Sequence, residues 1–251
     1  MTLRLVEKII LSVFVLALAG SASPSQAFAV AVPLDKAAVE QIVKSYIMEN
    51  PQLILDSVEN YQKKARTERQ SEGLKKSKDT LLKDLDSPET GNPQGDMTIV
   101  EFFDYNCGYC KHAFPEIKAL LETDKNIRVV FKEFPILGPT SVTASKWALA
   151  ANKQKKYFEF HSALMENKQP ITDELLEKIA KDVGLDTKQV KADAEDKGIQ
   201  AQIDKNRQLS ESLGLTGTPA FVIGDEVLPG FIQLDEMERM IAGIRAKAAK
   251  K

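Results

Sequence analysis

The sequence predicts an α/β fold on three observations. Residues 99–103 and 127–134 are short apolar runs rich in branched and aromatic side chains, each closed by turn formers or proline, as buried strands are. Between them Phe114, Ile117, Leu120 and Leu121 recur at three- and four-residue spacing, one apolar helix face. Strand, helix and strand at this spacing make a βαβ unit with parallel strands and a right-handed crossover. Residues 140–212 then carry helical patterning only, before strand character returns at 218–223 and 226–228 as a hairpin extending the sheet.

The first residues read as an export signal. Arg4 and Lys8 form a basic start, residues 9–19 are apolar, and Ala27-Phe28-Ala29 offers small residues where a signal peptidase needs them, so residues 1–29 are expected to be removed. The apolar stretch is short for a membrane span. Export places the chain in an oxidising compartment. The absence of any Asn-x-Ser/Thr acceptor fits a bacterial periplasm. The 34 basic and 36 acidic residues leave a net charge of −2, which argues against nucleic acid as a general partner.

Residues 30–90 are expected to form a helical oligomerisation segment and a charged connector. Val39, Ile42, Val43, Tyr46 and Ile47 make one apolar face, and Asn50-Pro51 marks a new helix start. Ile54, Val58, Tyr61 and Ala65 continue as a short seam of the kind that pairs helices. This face could fold back on the rest of the chain, but the charged stretch that follows separates the two, so residues 36–62 are expected to meet their copies in other subunits. Beyond Lys63 the helix is so polar that it should bridge two modules or project into solvent. Residues 87–96 are dense in turn formers and read as a domain boundary.

The chain has two cysteines, Cys107 and Cys110, where the first strand passes into the helix, with Cys107 expected in its first turn. Free amides and the helix dipole at that end favour a thiolate, and cysteines so placed titrate at roughly 3.5 to 7.5 rather than near ~8.5. Cys107 is expected to be the exposed nucleophile, and Cys110, one turn on, to close a disulfide with it and resolve mixed disulfides. Blander readings compete. A structural zinc ion needs about four ligands, and the chain offers two cysteines with His112 and His161. A purely structural disulfide over so small a loop would remove little unfolded-state entropy. Two inert core cysteines would be unusual in an exported protein. Redox chemistry is the favoured reading, with no metal site. Pro115 predicts a kink in the helix. Trp147 is expected in the core and His161 as a hydrogen-bonded packing residue.

Four motifs in order, Glu101-Phe102-Phe103-Asp104, Cys107-Gly108-Tyr109-Cys110, Phe131-Lys132-Glu133-Phe134-Pro135 and Thr216-Gly217-Thr218-Pro219-Ala220-Phe221, resemble the thioredoxin-fold disulfide oxidoreductases of the DsbA type over roughly residues 96–247. The resemblance implies a thioredoxin domain over 95–248 with an all-helical insertion at about 140–212, preceded by an N-terminal helical stalk. It implies a cis Thr218–Pro219 bond facing the cysteines, with the Thr218 backbone free to pair with an extended client, and Gly108 and Tyr109 beside that client. It also implies a buried Glu101 of raised pKa that takes the proton from Cys110. The whole-chain organisation is most similar to the suppressor-of-copper-sensitivity C proteins, some of which oligomerise through their N-terminal helices and act as isomerases. The Gly-Tyr dipeptide and the threonine before Pro219 are more similar to the isomerase DsbC than to the oxidase DsbA.

The expected function is a periplasmic thiol–disulfide oxidoreductase acting on exported proteins as an isomerase or reductase. A dithiol oxidase is the alternative, and a copper-binding surface protein without turnover a second one. No cofactor is expected beyond a redox-active Cys107–Cys110 disulfide. The expected partners are unfolded or misoxidised exported proteins, a membrane thiol–disulfide redox protein, and further copies of the chain.

Overall fold

A computed structural model describes residues 35–250, so the expected signal segment over 1–29 lies outside the described residues. Five strands, β1 (Glu89–Gly91), β2 (Met97–Phe103), β3 (Ile127–Glu133), β4 (Ala220–Ile223) and β5 (Glu226–Pro229), form one sheet in the order β1-β3-β2-β4-β5. β2 and β3 run parallel, with Met97 opposite Ile127 and Phe103 opposite Glu133. The crossover between them is α3 (Gly108–Thr123), which completes the predicted βαβ unit. β4 lies antiparallel to β2, and β5 closes the predicted hairpin. α3 continues past Pro115, so the missing amide does not end the helix.

Period-two alternation divides the buried residues between the two sheet faces. Ile99, Phe103, Val129 and Phe131 join the core that holds α3 and the helical insertion, whereas Val100, Phe102, Val130 and Phe134 build a second, smaller core. The insertion comprises α4 (Pro139–Lys153), α5 (Tyr157–Glu166), α6 (Asp173–Asp182), α7 (Thr187–Asp193) and α8 (Lys197–Ser212), and α9 (Leu234–Ala248) follows the hairpin. Trp147 is buried in the larger core, as its sequence context predicts.

Before the sheet come α1 (Lys36–Glu49) and α2 (Pro51–Leu82). Asp35 caps α1 by accepting from the amide of Ala38 at 2.7 Å, and Asn50 closes it. The chain divides into two compact units after Ile54, within α2. No residue of α1 is buried, and Val39, Ile42, Val43 and Tyr46 are all exposed.

Two expectations need correction. The charged stretch after Lys63 is not a solvent-borne bridge along its length, because Leu81 is 2% exposed and joins the smaller core, with Leu74 and Leu82 packed against it. Gly73 permits the approach: a Cβ there would stand 2.3 Å from the Ser212 carbonyl oxygen. Lys132, on the same sheet face, donates to the Thr80 carbonyl (2.9 Å), Asp84 Oδ2 (2.9 Å) and Ser87 Oγ (2.7 Å), so a fully buried ammonium is satisfied by the end of the N-terminal arm, residues 35–87. Burial opposes the charge on Asp84, yet hydrogen bonds from Lys205 and Lys132 prevail and hold its pKa at about 2. The second correction is β1, which lies inside the segment expected to be only a boundary. Three residues are too few to show alternation, and the strand exists because β3 offers an edge, reinforced by Arg128 on Glu89 at 2.6 Å.

Candidate active site

β2 delivers the site. Its last residue, Phe103, is followed by Asp104, a buried carboxylate that fixes the turn into α3. Asp104 Oδ1 accepts from the amide of Asn106 (2.8 Å) and the hydroxyl of Ser141 (2.7 Å), and Oδ2 from the amides of Ile136 (2.8 Å) and Leu137 (2.9 Å). One side chain thus ties the loop after β2 to the loop after β3 and to α4. In the sequence Asp104 is the turn former that closes the first strand and the last residue of a motif, with no sign of its partners. Its four donors come from residues 2 to 37 positions away, a convergence no local pattern displays.

Cys107 is the N-cap of α3, one position before the first helical turn expected for it, and its sulfur accepts from the Cys110 amide at 3.3 Å. It is also less open than expected: only 7% of the residue is exposed. The Cys110 thiol, Thr218 and the amides of Cys110 and Tyr109 all favour the thiolate over the opposing effect of burial, and bring the Cys107 pKa down to about 6. Cys110 is wholly buried, and burial, then the hydrogen bond to Cys107 and the charge of Glu101, drive its pKa far up. At neutral pH the pair holds one proton, on Cys110.

Thr218–Pro219 is cis, and the Cys107 sulfur lies 3.2 Å from the Thr218 carbonyl oxygen, to which it donates only while protonated. Gly108 opens α3 with free space where a Cβ would stand, and Tyr109 is 67% exposed with its ring edge-on to His112. Thr218 and the Tyr109 amide thus meet the Cys107 sulfur, with Gly108 and Pro219 next to them in the chain.

Glu101 lies on β2 in register with Phe131 and Phe221. It is buried and neither carboxyl oxygen has a hydrogen-bond partner. Burial, then the Cys107 thiolate and Glu133, raise its pKa to about 8. Glu133, at the end of β3, is its counterpart. It too is pushed up to about 8 by burial, but it accepts from Tyr105 (3.0 Å), Tyr157 (2.8 Å) and Ser145 (2.7 Å). Tyr105 also meets His161 Nδ1 at 3.0 Å, and burial lowers the His161 pKa to about 3, so this histidine is a neutral packing residue. Among the described residues no cluster of three or more His, Cys, Asp and Glu could hold a metal ion.

Two adjacent thiols whose proton affinities are driven in opposite directions define the class, a dithiol redox protein on a thioredoxin-type sheet. Residues 98–242 match the model of the DSBA-like thioredoxin domain, and the chain belongs to that family of thiol–disulfide oxidoreductases. Residues 35–68 match the Copper resistance protein ScsC N-terminal domain. A thioredoxin-like oxidoreductase from Silicibacter pomeroyi is 42% identical, over 67% of this chain and 97% of that one, with a TM-score of 0.65. A linker-deletion mutant of Proteus mirabilis ScsC is 29% identical over 86% and 99%, with a TM-score of 0.68. Disulfide bond formation protein D of Bacillus subtilis is 27% identical over 61% of this chain and 75% of that one. The chain also matches, at 23% identity, Na(+)/H(+) antiporter NhaA 3 of Salinispora tropica, of whose length it spans about a quarter (24%).

Proposed function

We propose that the protein exchanges disulfides in exported client proteins, acting as an isomerase or reductase, and that it works in the periplasm as a homo-oligomer joined through residues 36–62. The single observation that carries the chemistry is the opposed pair of thiols: Cys107 ionises near pH 6 while Cys110 keeps its proton. The Cys107 thiolate attacks one sulfur of a client disulfide, the client S–S bond breaks, and the departing client thiolate takes a proton from water. A second client thiol then displaces Cys107, which leaves the client isomerised. Alternatively Cys110 gives its proton to Glu101 and attacks Cys107, which releases the client reduced and closes the Cys107–Cys110 disulfide. Glu101 suits that step because the mixed disulfide removes the thiolate charge that helps keep Glu101 protonated. A membrane thiol–disulfide protein would return the pair to the dithiol.

Support for an oligomer comes from the exposed apolar residues of α1 and early α2 and from the match of residues 35–68 to the ScsC N-terminal model. Support for the periplasm comes from the N-terminal signal pattern and from a similar protein of Salmonella enterica described as periplasmic. No described helix is long and apolar enough to cross a membrane.

One observation favours the opposite direction, a dithiol oxidase. Lowering the Cys107 pKa stabilises the reduced form, which makes the disulfide more oxidising. Refolding of scrambled ribonuclease, with in-cell thiol trapping alongside, separates the readings. The expected result is isomerisation by a pair found mostly reduced in cells, lost in Cys107→Ser. A pair found mostly oxidised would establish the oxidase. Activity unchanged in Cys107→Ser, or stoichiometric Cu(I) binding with no turnover, would remove the enzyme reading.

A further inference from the structure

Arg66, Gln70, Gly73 and Ser77 recur along one face of α2. Gly73 packs on the Ser212 backbone, and Ser77 Oγ lies 3.4 Å from Ser212 Oγ, so this face runs beside the end of α8. Earlier on the same face, Arg66 and Gln70 form one wall of a groove of about 250 Å3. Its other walls are residues 214–219 and the segment at Pro229 and Gly230. The groove therefore begins at Thr218, whose carbonyl is 3.2 Å from the Cys107 sulfur, and leads away from the site.

Three features describe what fits there. Thr216 and Gly217 are exposed, and the amides of Thr216, Gly217 and Thr218 have no hydrogen-bond partner among the described residues. A row of free amides in non-helical backbone is a template for an extended chain. Arg66 is the one charged residue lining the groove, and its guanidinium makes no ion pair or hydrogen bond among the described residues. The stem of Arg69 passes the Gly214 end, its Cδ 3.4 Å from where a Cβ on Gly214 would stand. The groove is thus mixed in character, carries one positive charge, and starts at the residue that meets the nucleophile.

We propose that this groove is a subsite for the client polypeptide on one side of its reacting cysteine, and that Arg66 gives it a preference for an Asp or Glu side chain there. The inference rests on the exchange reaction proposed above and adds to it a substrate class. An extended client advances ~3.3 Å per residue, so one lying along residues 218 to 214 would bring its acidic side chain to Arg66 about two to four residues from its cysteine. It also makes the arm part of client recognition, since α2 supplies the charge.

The test uses the full chain and peptides of one sequence, each with a single cysteine in a mixed disulfide with mercaptoethanol. Glu, Gln or Lys stands at each position two to four residues from that cysteine, on either side in turn. The second-order exchange rate is expected to fall in the order Glu, Gln, Lys on one side only. Each step should be about two- to fivefold at low salt, the range of a partly exposed charge pair, and should shrink at high salt. Arg66→Gln should flatten the order and Arg66→Glu reverse it, while bis(2-hydroxyethyl) disulfide, which has no charge and cannot fill the groove, reacts equally with all three proteins. Equal rates for the three peptides in the unaltered protein, or a Glu preference that survives Arg66→Gln, would overturn the subsite. No reaction even with the small disulfide would instead overturn the exchange function, so the two failures are distinguishable.

Discussion

Between Val39 and Tyr61 the arm carries valine, isoleucine, leucine and tyrosine at helical spacing and leaves them exposed, Tyr61 by 74%. Between Gly73 and Asp84 it carries four lysines, two aspartates and a serine, yet part of it is buried against the sheet. Hydropathy alone would assign these roles the other way round. The second half docks at points rather than along a stripe: a glycine that lets backbones approach, Leu81 in the smaller core, and Asp84 beside Lys132. A space of about 310 Å3, lined by Leu74, Lys78, Leu81 and Val222 among others, remains between these points. An apolar face with nothing on it is a surface awaiting a partner, whereas a charged helix can be anchored if its few buried charges are fully provided for.

The largest effect should come from removing that provision. Asp84→Ala leaves the Lys132 ammonium buried with only the Thr80 carbonyl and the Ser87 hydroxyl, and should cost about 3–5 kcal/mol in urea unfolding of the whole chain. The pair also has an acid signature. The Asp84 pKa falls from 3.8 to about 2 on folding, so its contribution is complete above pH 3.8 and is lost as the pH drops through 2. A stability unchanged by Asp84→Ala would mean the arm is not held there.

Glu101 sharpens the comparison, being a buried carboxyl with no partner on either oxygen. Its pKa rises from 4.5 to about 8, so it favours the unfolded chain increasingly as the pH climbs from 4.5 to 8. Glu101→Gln removes this dependence. The stability of the variant relative to the unaltered reduced protein should rise by up to ~1.4 kcal/mol per pH unit across that window and stay flat outside it. The buried amide adds a fixed cost of about 1–3 kcal/mol. Release of the mixed disulfide should slow about a hundredfold or more in stopped flow, as expected for loss of a general base. A difference independent of pH would show that Glu101 is no more than filling.

Gly73→Ala should cost about 1–3 kcal/mol, since the new Cβ meets backbone at 2.3 Å, even though alanine gains about 1 kcal/mol in helix propensity. Gly243→Ala in α9 is the control: nothing lies within 4 Å of the new Cβ, and calorimetry should show a gain of about 0.5–1 kcal/mol. If both changes stabilise, α2 is not docked through Gly73.

The βαβ unit, the hairpin and the thiol pair were legible because each has a local signature: two-residue alternation, a three-to-four-residue helix face, two cysteines at a strand end. Glu101 was visible only through a motif, since a lone acid in an apolar strand has no pattern of its own. β1, Asp104 and Lys132 were not legible as structural anchors. Their partners are distant in sequence, as with Asp104 and Leu137 or Lys132 and Thr80, and neither spacing nor composition reports such a meeting. Arg66 was hidden for a related reason. In a run of lysines, arginines and glutamates it looks like any solvated charge, and only the glycine seven residues on shows which face of α2 turns toward the cis proline segment.

The smallest effect on the stability of the sheet domain should come from the most hydrophobic residues of the arm. Ile42→Lys and Tyr61→Lys replace exposed side chains, so each should alter urea unfolding of a dilute sample by no more than about 0.5 kcal/mol. Their consequence should appear in sedimentation, where an oligomer held through residues 36–62 must dissociate when a lysine enters its apolar seam. Exchange with a small disulfide should be unaffected, because Cys107 and Cys110 titrate under the influence of neighbours outside that segment. Loss of ribonuclease refolding with intact small-disulfide exchange would tie isomerisation to assembly. Variants that sediment like the unaltered chain would show that the exposed face serves a partner other than its own copies, and the contrast between the two halves of the arm would need a different explanation.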